Sequence, residues 1–188
     1  APMEAEGAAA VMCSRGEVAA VASQDWDTLL YGSPVMVRNL TSHGTRRFGR
    51  VLAAERISLA DTLETLEITQ DQLVDLGIMV GTDFHPGIRG IGPKTGLKLI
   101  RKYGTMESVA EAKGFELPDN LEEIRGLFLN HPCKEDPVSG PGRAVEEDLR
   151  SFLQEDRGFG DGRMKRALER LADAGRLRSA SQPSLFDF

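Results

Sequence analysis

The sequence predicts an α/β fold with a parallel sheet. Three observations carry that reading. An Ala-rich, helix-compatible opening is followed by two short, wholly apolar strands, and capped helices with glycine stops fill much of the remainder. The helix is expected over Met3 to Ser14, with Pro2 suited to a first turn and Gly16 to a C-terminal stop. Glu17-Val18-Ala19-Ala20-Val21-Ala22 reads as a buried strand, and Val35-Met36-Val37 as a second. Between them Asp25 to Tyr31 forms one helical turn, closed by Gly32-Ser33-Pro34.

Two capped helices come next. Ser58-Leu59-Ala60-Asp61 approximates a capping box, and Thr69-Gln70-Asp71-Gln72 is a full one. The second helix carries Leu73, Leu76 and Val80 on one face and stops at Gly81. A glycine-rich turn from Gly87 to Gly92 leads into a helix that ends at Tyr103-Gly104. Gly114 to Gly142 is rich in Pro and Gly, with a short helix around Leu121 to Leu129. A final helix is expected over Gly162 to Ala174, and a flexible tail from Ser179. Met12, Met36, Met79, Met106 and Met164 are read as core or gap-filling residues.

The chain has 188 residues with 40% apolar composition and mean hydropathy -0.27, enough for one ordinary domain, or one domain and a satellite. No apolar run nears the roughly 20 residues of a membrane span. Cys13 and Cys133 form neither a metal pair nor a disulfide framework. The opening Ala1-Pro2-Met3-Glu4 lacks an initiator Met and a signal core, so it is expected to be the cut edge of a longer protein. Net charge is -6, which alone argues against a nucleic-acid binder. Its distribution argues the other way. Arg89, Lys94, Lys98, Arg101, Lys102 and Lys113 cluster in one stretch, and Arg163, Lys165, Arg166, Arg170, Arg176 and Arg178 in another.

Five acids sit where elements end: Glu4, Glu6, Asp25, Asp27 and Asp83. Asp25 and Asp27 follow a buried strand, and extended i, i+2 residues face one side. In open α/β sheets, ligands bind at the carboxyl ends of strands. Glu4 and Glu6 converge only if Glu4 begins the helix, since i, i+2 residues within a helix diverge. Asp83 follows a helix C-terminus, where the macrodipole disfavours an anion that has no cation nearby. Carboxylates gathered at one place repel unless divalent ions neutralise them, and an all-oxygen set suits Mg²⁺ or Mn²⁺. Solvated surface acids are the other reading of the same residues. Trp26, between two such positions, is expected to pack beside the site and away from the ligands.

Gly87-Ile88-Arg89-Gly90-Ile91-Gly92-Pro93-Lys94 follows a helix, not a strand, so it is no dinucleotide fingerprint. It reads as a helix-turn-helix in which Gly90 and Gly92 let a phosphate approach bare backbone N–H groups. Pro93 presets the next helix, and Lys94, Lys98, Arg101 and Lys102 add phosphate contacts. A plain glycine turn between helices is the alternative.

Taken together the segments resemble the flap endonuclease branch of the structure-specific 5′ nucleases. The strings are Ala1 to Ala8, Ala22 to Leu29, Val74 to Asp83 and Gly87 to Lys94, in that order. The resemblance implies part of a PIN-like nuclease core over 1–84, a helix-hairpin DNA-binding region over 85–178 and a sliding-clamp tail over 179–188. It implies that Glu4, Glu6, Asp25, Asp27 and Asp83 hold two Mg²⁺ (or Mn²⁺), directly or through water. It also implies that Gly87, Arg89, Gly90, Gly92, Lys94, Lys98, Arg101 and Lys102 grip a duplex backbone, and that carbonyls near Gly87, Ile88 and Gly90 take K⁺. Gly87 stands where the family often has serine, so one K⁺ ligand is lost. Asp75 accompanies Asp83 in the motif and is read as a helix residue, not a ligand.

The family's preceding half supplies two further metal-binding aspartates and the arch with its catalytic lysine and arginine, so these 188 residues alone are expected to cleave little or no DNA. In the tail, Gln182, Leu185, Phe186 and Phe188 resemble the clamp-binding peptide, with the second terminal aromatic missing. The implied partners are flapped or branched duplex DNA and the sliding clamp, for a monomer in the cytoplasm of an archaeon or the nucleus of a eukaryote. A related repair exonuclease and a non-catalytic clamp adaptor are the rival readings. His43, His85 and His131 receive no catalytic role.

Overall fold

The computed structural model describes residues 3–42, 44, 46–47, 50–133 and 145–179. The chain divides into two compact units, Ala1–Pro137 and Val138–Phe188. The expected tail, with Gln182, Leu185, Phe186 and Phe188, lies outside the described residues.

In the first unit α1 (Ala5–Ser14) leads to β1 (Val21–Ala22), α2 (Asp27–Leu30) and β2 (Val35–Arg38). A 3₁₀ turn, Leu40–Ser42, precedes the ribbon of β3 (Arg46–Arg47) and β4 (Arg50–Val51), then β5 (Glu55–Ser58). The sheet has the order β1-β2-β5, with β1 and β2 parallel and β5 antiparallel to β2. The parallel pair meets the expectation, whereas β5 had no signal, because Glu55-Arg56-Ile57-Ser58 lacks the apolar run of a buried strand. The strand expected from Glu17 is also shorter than predicted. Pairing starts with Val21 opposite Met36, so continuing it upstream would set Ala19 against Pro34, which has no N–H to give.

Four helices follow closely after β5 and build the core: α3 (Leu59–Leu66), α4 (Gln70–Val80), α5 (Pro93–Tyr103) and α6 (Met106–Lys113), with α7 (Leu121–Leu129) behind them. Their starts are local and match the sequence. The Ser58 hydroxyl accepts the Asp61 N–H, and Thr69 and Gln72 form the reciprocal capping box. Pro93 begins α5 after Gly92. One core joins these elements, with Met36, Val74, Ile78, Met79, Ile100, Met106, Val109, Ile124 and Phe128 buried at its centre. It passes through position 84 without a break. Among the described residues no helix is long and apolar enough to cross a membrane.

The second unit holds α8 (Glu146–Arg150), a π-helical turn (Ser151–Asp156) and α9 (Asp161–Ser179). Met164 is buried there, and Arg157 and Arg163 lie over the rings of Phe152 and Phe159. Arg163, Lys165, Arg166 and Arg170 are exposed on α9.

Candidate metal centre

All five predicted acids meet. Glu4, Glu6, Asp25, Asp27 and Asp83 line one small cavity of about 20 Å³ with Tyr31 and Phe84. Each arrives by a different local device. Glu4 is the residue before α1, extended at φ -63° and ψ 136°, while Glu6 sits in the first turn. The helical divergence of i, i+2 side chains therefore does not apply to this pair. Asp83 hangs from the end of α4 in a tight loop, where Thr82 and His85 exchange backbone hydrogen bonds of 2.8 and 3.2 Å.

The Asp25–Asp27 pair converges by another route than the one expected. The backbone is not extended: Trp26 is helical at φ -70° and ψ -19°, and the Asp27 N–H donates to Asp25 Oδ1 at 3.1 Å. This Asx turn opens α2, because an aspartate that accepts a hydrogen bond two residues on competes with strand geometry. The altered backbone also overturns the expected packing of Trp26, whose side chain is 51% exposed.

The electrostatics follow from that crowding. Burial, then Asp25, Asp83 and Glu6, push the Asp27 carboxyl from an ordinary 3.8 up to about 6. Burial, then Glu4, Asp27, Glu6 and Asp83, hold the Tyr31 phenol well above its usual range. Among the described residues no Lys or Arg lines the cavity to offset these charges. The donors are hard oxygens of the kind that Mg²⁺ and Mn²⁺ take, and the crowded negative charge fits a cation. Among the described residues no group of three or more His, Cys, Asp or Glu side chains is arranged to hold a metal ion.

Aromatic side chains that carried no sequence signal form the backing. Phe128 of α7 touches both Tyr31, at 4.8 Å between ring centroids, and Phe84, at 5.5 Å. His131 lies edge-on to Tyr31 at 5.0 Å and against Gly7, where a Cβ would fall 2.6 Å from the imidazole. Gly7 thus lets α1 settle on His131 and brings Glu4 and Glu6 to the cavity. Nothing in a linear reading links position 7 to position 131.

The glycine-rich turn stands next to this centre in the chain. Gly87 has φ +86°, and a Cβ there would lie 2.5 Å from the Val80 carbonyl oxygen. At this φ and spacing the backbone favours glycine over any residue with a Cβ. His85 Nδ1 accepts the Gly87 N–H at 3.1 Å and braces the bend. Gly90 and Gly92 face open space. Arg89, Lys94, Lys98 and Lys102 are exposed, and Lys102 lies over its neighbour Tyr103. Arg101 is engaged internally: its Nε donates to the Leu66 carbonyl at 2.7 Å, and it pairs with Glu67 at 3.6 Å, closing the end of α3.

A larger cleft, about 620 Å³, lies between α4, α6 and α7 and contains Asp75. Asp75 is buried and takes Arg125 in a two-pronged ion pair at 2.7 and 2.9 Å, while it accepts the Met106 N–H. Arg125 also binds Glu107 and Glu122. This fits the reading of Asp75 as a helix residue, not a ligand.

The XPG I-region family model matches residues 1–83. Flap endonuclease 1 of Pyrobaculum arsenaticum is 41% identical over 194 residues, covering 99% of this chain and 56% of that protein. The solved flap endonuclease-1 of Methanococcus jannaschii superposes with TM-score 0.77 at 34% identity, covering 92% of this chain and 51% of that one. The catalytic core of Rad2, solved in complex with a DNA substrate, shares the fold at TM-score 0.73 and 19% identity. The carboxylates that gather at the cavity fall within the matched region, and over nearly its whole length the chain is similar to flap endonucleases, spanning about half the length of the relatives it matches.

Proposed function

We propose that this chain provides the carboxylate half of a two-metal centre that hydrolyses phosphodiester bonds in branched DNA, removing 5′ flaps and RNA primers. The observation behind it is the meeting of Glu4, Glu6, Asp25, Asp27 and Asp83 at one cavity that, among the described residues, no cationic side chain lines. These residues would hold two Mg²⁺ (or Mn²⁺), in part through water, as suits an ion that keeps several waters. Bound divalent ions would supply charge neutralisation at the phosphate and a lowered pKa for an attacking water. The chain's own part is positional. Glu4, Glu6, Asp25, Asp27 and Asp83 orient and neutralise, and Tyr31 and Phe84 close the wall of the cavity.

The turn from Gly87 to Gly92 and the exposed Arg89, Lys94, Lys98 and Lys102 hold the duplex backbone, which gives recognition by shape, not sequence. Gly87 offers only its carbonyl toward K⁺, so duplex binding in this chain is expected to depend weakly on K⁺ over Na⁺. The terminal Gln182, Leu185, Phe186 and Phe188 engage the sliding clamp.

The deciding experiment joins the chain to the preceding half found in its relatives and measures Mg²⁺-dependent cleavage of a 5′-flapped duplex. Cleavage that falls at least a hundredfold in Asp27→Asn supports the reading. Full activity in that variant refutes it. The 188 residues alone are expected to bind flapped DNA and leave it uncut.

A further inference from the structure

Trp26 is the sole tryptophan of the chain, and it stands between two of the metal-centre acids with half its surface open to solvent. The parallel pairing of β1 and β2 explains its neighbour. With Val21 opposite Met36 and Ala22 opposite Val37, Arg38 emerges from the carboxyl end of β2 beside the Ser23–Asp25 segment. Its guanidinium lies over the Trp26 ring, 4.3 Å from the centroid. Arg38 Nε is buried and has no hydrogen-bond partner among the described residues. A guanidinium stacked on a ring directs its N–H groups along its own plane, where they suit a planar or anionic acceptor.

We propose that Trp26 and Arg38 form a stacking platform for an unpaired base of the DNA strand at the metal centre, with Arg38 taking the adjoining phosphate. This rests on the nuclease reading above and adds the contact that orients the strand. Arg38 covers one face of the indole, so the base takes the other. Any base has a π-face, so the platform grips the strand without reading its sequence.

Because no other tryptophan is present, the emission of Trp26 reports the contact directly. The chain is titrated with a labelled 5′-flapped duplex, with and without Mg²⁺, while anisotropy follows binding and tryptophan emission follows stacking. Quenching that tracks the anisotropy is expected. Trp26→Leu should weaken binding roughly tenfold and Trp26→Phe much less, in line with the worth of one base stack. Arg38→Lys, which keeps the charge and loses the plane, should fall between wild type and Arg38→Met. Anisotropy that rises while emission stays constant overturns the platform and leaves the nuclease reading intact, as does wild-type affinity in Trp26→Leu. No rise in anisotropy at all overturns both.

Discussion

Two gatherings of acids lie in the first unit, and they differ in what neutralises them. At the candidate metal centre Glu4, Glu6, Asp25, Asp27 and Asp83 line a cavity of about 20 Å³ with no cationic side chain in its lining among the described residues. Between α4, α6 and α7, Asp75, Glu107 and Glu122 share the guanidinium of Arg125. The consequence is opposite in sign. Asp27 is pushed up to about 6 by burial and its acidic neighbours, whereas the hydrogen bond from Arg125 brings Glu107 down to about 2. Carboxylates that a fold needs for itself come with an internal cation. A group of acids lacking one is arranged for a charge brought from outside. Cavity size points the wrong way here, since the Arg125 cleft is the larger by far at about 620 Å³.

The contrast can be broken most forcefully at Arg125. Arg125→Met leaves Asp75 buried with its charge uncompensated, and the expected loss is about 3–5 kcal/mol in urea unfolding. A loss below about 1 kcal/mol would show that the cluster is not a structural staple. Next in size is the response to Mg²⁺. Filling the metal centre should stabilise the chain by about 2.7 kcal/mol at a hundred times Kd, and Asp27→Asn should remove most of that gain. A melting temperature indifferent to Mg²⁺ and Mn²⁺ would count against the centre.

Smaller and of opposite sign is Asp27→Asn without divalent ions. A carboxyl raised from 3.8 to about 6 favours the folded state below the lower value and loses that contribution as pH rises through the upper one. In EDTA at pH 7.5 the Asn variant should therefore be the more stable by about 1 kcal/mol after solvent screening, and the difference should vanish below about pH 3. Thermal melts across that range decide it. Smallest is Glu107→Gln. Its depressed carboxyl contributes above 4.5 and loses the contribution as pH falls through about 2. Glu107 is nearly half exposed, so the cost at pH 7 should stay under about 1 kcal/mol, measurable in a paired denaturation series.

Much of the fold was legible because it is written locally. The hydroxyls of Ser58 and Thr69 find their N–H partners three residues on, and Pro93 follows Gly92 directly. Four buried methionines, Met36, Met79, Met106 and Met164, also fell where an apolar pattern placed them. The five acids were legible as residue types in a specific order. Their convergence was reasoned correctly for Glu4 and for the wrong backbone at Asp25 and Asp27, where an Asx turn replaced an extended pair. β5, the aromatic backing of Phe128 and His131, and the Arg38 stack on Trp26 gave no sign, because each depends on a partner that only folding supplies.

The sequence by itself determined where helices begin, which stretches can be buried, and that unpaired acids would stand at element ends. Hydrogen bonds between near neighbours and the spacing of apolar side chains need no further information. The tertiary structure alone decided which of those acids are neutralised. Arg125 reaches Asp75 across 50 positions of chain, and among the described residues no comparable cation lines the cavity of Glu4, Asp27 and Asp83. Coulomb energy depends on distance in space and on burial, and neither is fixed until the helices have packed.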